Sequence, residues 1–124
     1  MGINVLVPGS FTTVQDGGRR GYQKYGVSPS GPMDAQNFAV ANMLVGNARD
    51  EAALEVTLMG PRLAFDTDAV IALTGADMQT QLNGADIPRY EAVAVHAGDR
   101  LAMGFAASGA RAYIAVAGGL DIPL

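Results

Sequence analysis

The amino-acid sequence predicts a mostly β fold, a β-barrel with one short amphipathic helix packed near an end, and three observations carry this prediction. The first is a series of short segments rich in apolar and β-branched residues between residues 53 and 117, which is typical of strands. The second is that turn residues separate these segments at the short intervals found in barrels and sandwiches. The third is a single stretch, about residues 32–46, whose apolar residues recur at helical spacing.

Short apolar runs between turn signals define the predicted strands. They cover residues 3–7, 11–14, 53–58, 62–65, 70–74, 79–82, 92–95, 100–105 and 111–117. The clearest turn between them is Asn83-Gly84, because a two-residue type I′ hairpin needs positive φ at both central positions and this pair adopts it at least cost.

The helix prediction depends on its two ends and its spacing. Pro32 suits the first turn of a helix, and Gly46-Asn47 supplies a C-terminal stop signal. Between them the apolar residues Phe38, Ala41, Leu44 and Val45 recur at helical spacing. This pattern predicts a helix with one buried face.

Composition limits the class of protein. The 124 residues, 49% of them apolar, predict one globular domain over residues 1–124. The net charge of −4 argues against nucleic-acid and anionic membrane partners. With no cysteine, no signal-peptide pattern and no apolar run of the roughly 18 residues a membrane helix needs, a cytoplasmic location is expected.

Residues 17–31 have neither helical nor strand periodicity and predict a long functional loop. Gly17, Gly18 and Gly21 surround Arg19, whose guanidinium offers paired donors to a carboxylate. The alternative is structural, with Arg19 paired to Asp16 across the turn.

Asp34 is the candidate catalytic residue. At the start of the helix, the unpaired N–H groups and the helix dipole should keep its carboxyl ionised. An ionised carboxylate accepts hydrogen bonds from an amide or urea N–H, or acts as a base, but serves poorly as a general acid. The alternative is that Asp34 only stabilises the helix.

Other chemical sites are not supported by the sequence. His96 is the sole histidine, so it predicts no zinc site and is best interpreted as structural or exposed. Ser28 and Ser30 lack the spacing of a nucleophile elbow. Neither a P-loop nor a dinucleotide-binding glycine motif is present, so the chain is expected to bind no cofactor and no metal itself.

Two long blocks at the start of the chain closely resemble the opening of the biotin-dependent carboxyltransferase family, also called allophanate hydrolase subunit two, KipA or the C component of 5-oxoprolinase. The blocks are Pro8-Gly9-x-x-Thr12-Thr13-Val14-Gln15-Asp16-x-Gly18-Arg19-x-Gly21 and Gly26-Val27-Ser28-x-Ser30-Gly31-x-Met33-Asp34. The resemblance continues through shorter segments: Ala41-Asn42-x-Leu44-Val45-Gly46-Asn47, Leu54-Glu55-x-Thr57, Gly60-Pro61, Thr74-Gly75-Ala76, Ala97-Gly98-Asp99, Arg111-Ala112-Tyr113 and Gly118-Gly119.

The resemblance implies a cyclophilin-like β-barrel and a small amide or carboxylate substrate. It assigns Arg19 to a carboxylate or carboxyl group and Asp34 to an amide N–H, with Asp16, Gln15 and Ser30 as further substrate-binding candidates. It also implies a sister subunit resembling KipI or the B component of 5-oxoprolinase, and a possible third subunit. Family members continue beyond Gly118-Gly119, so the chain is interpreted as the N-terminal half of a longer protein.

Three functions follow from the resemblance. The first is a part of ATP-dependent 5-oxoprolinase, which hydrolyses 5-oxoproline to glutamate with ATP on partner subunits. The second is carboxyl transfer from biotin to urea or a similar small amide, with carboxybiotin on a separate carrier because the chain has no biotin-attachment sequence. The third is a non-catalytic regulator that binds a KipI-like kinase inhibitor.

Overall fold

The structure is a computed structural model that describes residues 3–7, 11–15, 34–57, 59–106 and 108–118. In these ranges the chain forms ten strands and one helix. They are β1 (Ile3–Val7), β2 (Phe11–Gln15), α1 (Ala35–Leu44), β3 (Ala53–Thr57), β4 (Arg62–Phe65), β5 (Ala69–Asp77), β6 (Gln81–Leu82), β7 (Ala85–Asp86), β8 (Ala92–Val95), β9 (Arg100–Ala102) and β10 (Ser108–Val116).

The strands form two antiparallel five-stranded sheets. The first sheet has the order β1-β4-β9-β6-β7, and the second has the order β2-β3-β10-β5-β8. The predicted fold class, mostly β with one short helix, is confirmed. Among the described strands, however, each sheet has two free edges, so the barrel takes the form of two facing open sheets.

Two interior strands of the second sheet, β3 and β10, are buried on both faces, because alternate side chains of a strand point to opposite sides. Leu54 and Val56 of β3 and Ile114 of β10 pack into the main core, together with Phe65 of the first sheet. The intervening side chains form a second cluster against the helix, namely Ala53, Tyr113 and Ala115 with Phe38 and Ala41. The domain therefore has three layers, in the order first sheet, second sheet and helix.

The helix is shorter than the sequence predicts. It begins at Ala35, with Asp34 as its N-cap residue, and ends at Leu44. Phe38, Ala39, Ala41 and Asn42 are buried. Burial is thus one-sided, although the buried side includes the polar Asn42. Within the described residues, no helix has the length and apolar character needed to cross a membrane.

The hairpin predicted at Asn83-Gly84 is confirmed, since Asn83 has φ 52° and Gly84 has φ 85°, and Leu82 pairs with Ala85 across the turn. Strand β5 runs to Asp77, three residues beyond its predicted end. The extension passes through Gly75, whose φ of 84° marks an irregular pairing with β10 that only a residue without Cβ adopts readily.

Candidate functional site

Only some of the predicted site residues lie in the part of the chain that the structure describes. Arg19, Asp16 and Ser30 lie outside the described residues. Gln15 ends β2, where its backbone pairs with Ala53, but its side chain lies outside the described part. Asp34 lies in the described part, and the candidate site consists of Asp34 and its neighbours.

Asp34 caps the helix with its carboxylate. Oδ1 accepts the Asn37 backbone N–H at 3.1 Å, and Oδ2 accepts the Asn37 side-chain amide at 2.7 Å. These hydrogen bonds, the backbone one above all, hold the pKa of Asp34 below its usual value of 3.8. The carboxyl is therefore ionised at neutral pH, as expected from its place at the start of a helix.

An ionised carboxylate has about four acceptor positions, and Asn37 uses two of them. Such a group is suited to accept N–H donors from a ligand. Its low pKa makes it a weak base, so the geometry favours the acceptor role over proton abstraction.

A buried tyrosine fixes the backbone of Asp34 to the second sheet. The Asp34 N–H donates to the Tyr113 hydroxyl at 2.8 Å, and that hydroxyl donates to Glu55 Oε2 at 2.6 Å. Burial is the larger cause, and the hydrogen bond to Glu55 the second, of a pKa of Tyr113 that lies far above its ordinary value. The Tyr113 hydroxyl therefore stays protonated and keeps the start of α1 tied to β10 and β3.

The neighbouring Asn37 is held from two further directions. Its carbonyl oxygen accepts the Thr74 hydroxyl at 2.6 Å, and its side-chain Oδ1 accepts the Tyr90 hydroxyl at 2.8 Å. Thr74 belongs to β5, whereas Tyr90 lies in the loop between β7 and β8. Three parts of the fold thus converge on the first turn of the helix.

The loop that carries Tyr90 covers the irregular part of β5. The Gly75 N–H donates to the Tyr90 hydroxyl at 3.0 Å, and the Gly75 carbonyl accepts from Arg89 Nη1 at 2.6 Å. The Arg89 guanidinium also lies 5.7 Å from the centre of the Tyr90 ring. Both backbone groups of Gly75 are therefore satisfied by this loop.

Sequence reasoning missed Asn37, Glu55, Tyr90 and Tyr113. A signal was present for two of them, because Glu55 and Tyr113 stand in the family-like segments Leu54-Glu55-x-Thr57 and Arg111-Ala112-Tyr113. Glu55 is also a buried acidic residue in a mostly apolar strand, and buried acidic side chains are uncommon unless paired.

Two other polar features lie apart from this network. His96 is exposed and lies 3.6 Å from Asp68, which fits the interpretation of an exposed surface histidine. An open cleft is lined by Asp77, Gln79, Thr80, Gln81, Asp86 and Ile87. Among the described residues, no group of three His, Cys, Asp or Glu side chains is arranged to hold a metal ion.

The described residues form two antiparallel sheets with one helix packed on the second sheet. The family-like sequence blocks stand near the start of the chain. Fold and motifs together are those of a carboxyltransferase-type β domain. A sequence model of the carboxyltransferase domain, subdomain A and B, matches residues 25–124. The chain belongs to this family, and the resemblance predicted from the motifs is confirmed.

Known relatives include parts of two kinds of enzyme. The chain is 46% identical over 122 residues to urea amidolyase of Saccharomyces cerevisiae, covering 98% of this chain and 7% of the relative. It is 40% identical over 121 residues to the C component of 5-oxoprolinase of Escherichia coli, covering 98% of this chain and 39% of the relative. The chain therefore spans well under half the length of these relatives.

A solved structure supports the same fold. The crystal structure of Kluyveromyces lactis urea carboxylase matches with a TM-score of 0.86 and 48% identity, covering 98% of this chain and 11% of that chain.

Proposed function

We propose that this chain is a segment of an enzyme that acts on a small amide, and that the reaction is carboxyl transfer to urea or a similar acceptor. The observation that carries the choice of reaction is the identity of 46% to urea amidolyase, against 40% to the C component of 5-oxoprolinase. Carboxybiotin on a separate carrier would supply the activated carboxyl group. A cytoplasmic location remains a prediction.

The chemistry of the Asp34 site supports an amide or urea as ligand. Urea, 5-oxoproline and the ureido ring of biotin all present N–H donors, and an ionised carboxylate is their natural partner. The Asp34 carboxylate retains acceptor positions beyond those that Asn37 uses. In this proposal the Asp34 carboxylate accepts a hydrogen bond from the N–H of the substrate and thereby orients the amide nitrogen.

The roles of the remaining predicted residues complete the proposal. Arg19 binds the carboxyl or carboxylate group, for which a guanidinium offers two parallel donors. Asp16, Gln15 and Ser30 are further candidates for contacts with the substrate. The relatives are much longer than this chain, so the activity is proposed for a protein that contains this segment together with its sister subunit or domain.

ATP-dependent hydrolysis of 5-oxoproline is the second candidate. It is favoured by 40% identity to the C component of 5-oxoprolinase across 98% of this chain. Both candidates require the same contacts, namely an acceptor for an amide N–H and a cation for a carboxyl group.

A reconstituted assay separates the candidates. The full-length protein is combined with its sister subunit, the third 5-oxoprolinase subunit and a biotin carrier together with a biotin carboxylase that charges it. The mixture is incubated with ATP and bicarbonate, with urea or 5-oxoproline as substrate. The proposal expects urea-dependent carboxylation that is lost without the carrier. Hydrolysis of 5-oxoproline without any carrier would instead establish the second candidate, and turnover of neither substrate would contradict both.

Substitutions in the same assay test the site. Asp34→Ala and Arg19→Ala are each expected to lower kcat/KM at least tenfold, because each removes a charge-assisted hydrogen bond to the substrate. Arg62→Ala is the matched control, since Arg62 is an exposed arginine on β4 of the other sheet. If these variants still bind the sister subunit but lose turnover, the chain acts as part of an enzyme. This result would contradict the regulatory alternative, which needs only partner binding.

A further inference from the structure

Two hydrogen bonds meet at the hydroxyl of Tyr90. The Gly75 N–H is a donor only, so the Tyr90 oxygen accepts it at 3.0 Å. The hydroxyl proton of Tyr90 is then directed to Asn37 Oδ1 at 2.8 Å. The Tyr90 hydroxyl thus joins the backbone of β5 to the side-chain amide of Asn37.

The side-chain amide of Asn37 also faces Asp34. With Oδ1 turned to the Tyr90 hydroxyl, the Asn37 side chain presents Nδ2 to Asp34 Oδ2 at 2.7 Å. The reversed amide would place two acceptors against each other at Asp34 and would remove the Oδ1 acceptor from the Tyr90 hydroxyl proton. A continuous chain of hydrogen bonds therefore runs from Gly75 through Tyr90 and Asn37 to Asp34.

The backbone of Tyr90 is strained in making this contact. Its φ is 63°, a left-handed conformation that is unusual for a bulky aromatic residue. Such conformations persist where the surrounding contacts determine them, and they concentrate at functional sites. The Tyr90 N–H donates to the Leu73 carbonyl at 2.7 Å and Arg89 lies beside the ring, so the position is held from both sides.

Packing alone does not account for a tyrosine at this position. The side chain is 43% exposed and is not part of either hydrophobic cluster. Its hydroxyl, in contrast, makes two hydrogen bonds to groups that are far apart in the sequence. The polar end of the side chain is therefore the part with a specific partner.

We propose that Tyr90 is a positioning residue for the Asp34 site, which acts through Asn37 to orient the Asp34 carboxylate as an acceptor for a substrate N–H. The inference rests on the proposed function for its catalytic consequence and on the hydrogen-bond chain for its structural one. Tyr90 touches neither Asp34 nor, in this proposal, the substrate. It holds Asn37 Oδ1, and Asn37 Nδ2 in turn holds Asp34 Oδ2, so that the carboxylate stays in place to accept a substrate N–H.

Other groups near Asp34 do not replace this role. On its own helix, the first turn contributes no further acidic residue, and the last turn contributes no basic one. From β10 the Tyr113 hydroxyl meets the Asp34 backbone, and behind it lies Glu55 of β3. These contacts hold the backbone of Asp34, whereas the hydrogen bonds that run from Tyr90 through Asn37 act on its carboxylate.

The test compares Tyr90→Phe with the natural full-length protein, first by NMR of the Asn37 side-chain amide. Removal of the hydroxyl takes away the partner of Asn37 Oδ1. The two side-chain amide protons of Asn37 are therefore expected to shift their resonances and to exchange faster with solvent. Gln79→Ala is the matched control, because Gln79 is also exposed and left-handed, with φ 53°, but lies outside the chain of hydrogen bonds. The control is expected to leave the Asn37 resonances unchanged.

The second measurement is turnover in the reconstituted complex. Tyr90→Phe is expected to raise KM for the amide substrate about tenfold, the effect of one misplaced hydrogen bond, with a smaller change in kcat. Tyr90→Gly removes the hydroxyl and relieves the left-handed backbone, so it gives the same result without added strain.

The two measurements distinguish the possible failures. Unchanged Asn37 resonances in both Tyr90 variants would overturn the positioning role. Changed resonances with an unchanged KM would overturn its catalytic consequence. If the natural complex turns over neither substrate, the proposed function fails, while the structural role of Tyr90 is still decided by the NMR result.

Discussion

The Tyr113 hydroxyl donates to Glu55 at 2.6 Å across two neighbouring strands, and the same hydroxyl accepts the backbone N–H of Asp34 at 2.8 Å. Tyr113 and Glu55 face each other directly in the register of β10 and β3. Both are buried, and the Tyr113 ring also packs edge-on against Phe38 at 6.0 Å. This pair therefore joins the second sheet to the start of the helix through both polar and apolar contacts.

Replacement of Tyr113 by phenylalanine tests the polar part of this junction. Tyr113→Phe keeps the ring and its contact with Phe38 but removes both hydrogen bonds of the hydroxyl. We expect the free energy of unfolding to fall by about 1–3 kcal/mol, because buried polar groups lose their partner. Chemical denaturation measures this change, and a loss below about 0.5 kcal/mol would contradict the proposed importance of the hydroxyl.

The same variant has a distinct pH dependence. Because the folded state raises the pKa of Tyr113 above its ordinary value of 10.0, the unfolded state ionises first as the pH rises. The stabilisation from Tyr113 is complete below pH 10 and is lost as the pH climbs towards the folded-state value. We expect the natural protein to lose stability more steeply above pH 10 than Tyr113→Phe, and parallel curves would contradict the raised pKa.

Asp34 should stabilise the helix whether or not it binds a substrate. Asp34→Ala removes the N-cap and is expected to cost about 1 kcal/mol, whereas Asp34→Asn keeps a capping oxygen and should cost much less. Thermal unfolding at neutral pH compares the two variants. Equal losses would mean that the charge, rather than the cap, carries the stabilisation.

The charge of Asp34 is tested separately at low pH. Its pKa is lowered in the folded state, so its stabilisation is present above the unfolded value of 3.8 and is lost as the pH falls through the folded-state value. Asp34→Asn should remove this component. Below pH 4, the stability of the Asn variant is therefore expected to fall less steeply than that of the natural protein.

The sequence predicts the strands well because their signals are local, but it does not predict the junction between them. Asn83-Gly84 indicates its turn through the conformational freedom of two adjacent residues, and the structure confirms it. In contrast, Tyr113 meets residues that precede it by 58 and 79 positions. No short pattern records such a distance. Only the register of folded strands brings Glu55, Tyr113 and Asp34 together.

Local signals also mislead where one residue type serves two purposes. Gly75 indicates the end of a strand, since glycine is common in turns, yet β5 continues through it to Asp77. Asp34 is expected inside the first helical turn but instead forms the cap, because its side chain replaces the missing partner of the Asn37 N–H. In both cases a tertiary or capping contact decides between two conformations that the sequence allows.

The other end of the helix is fixed by Asn47. Its Nδ2 donates to the Val116 carbonyl at 2.7 Å, and its Oδ1 accepts the Gly118 N–H at 2.8 Å. Asn47→Ala is expected to destabilise the fold by about 1–3 kcal/mol, because the end of β10 loses both contacts. Gln36→Ala, an exposed change on the same helix, should stay within about 0.5 kcal/mol. Similar losses in the two variants would contradict this role.

Gly75 and Gly84 separate two reasons why a position requires glycine. Both have left-handed backbones, with φ of 84° and 85°. A Cβ on Gly84 would meet nothing within 4 Å, whereas a Cβ on Gly75 would collide with the Arg111 carbonyl oxygen. Gly84→Ala is therefore expected to cost only the backbone strain, about 1–2 kcal/mol. Gly75→Ala should cost more, because β5 and β10 must also move apart.

Chemical denaturation of both variants measures the difference directly. The displacement at Gly75 should also disturb the hydrogen bonds that its N–H and carbonyl make with Tyr90 and Arg89. We therefore expect Gly75→Ala, but not Gly84→Ala, to change the NMR resonances of the Asn37 side-chain amide. Equal destabilisation by the two variants, with the Asn37 resonances unaffected in both, would show that the close approach at Arg111 relaxes without consequence for the site.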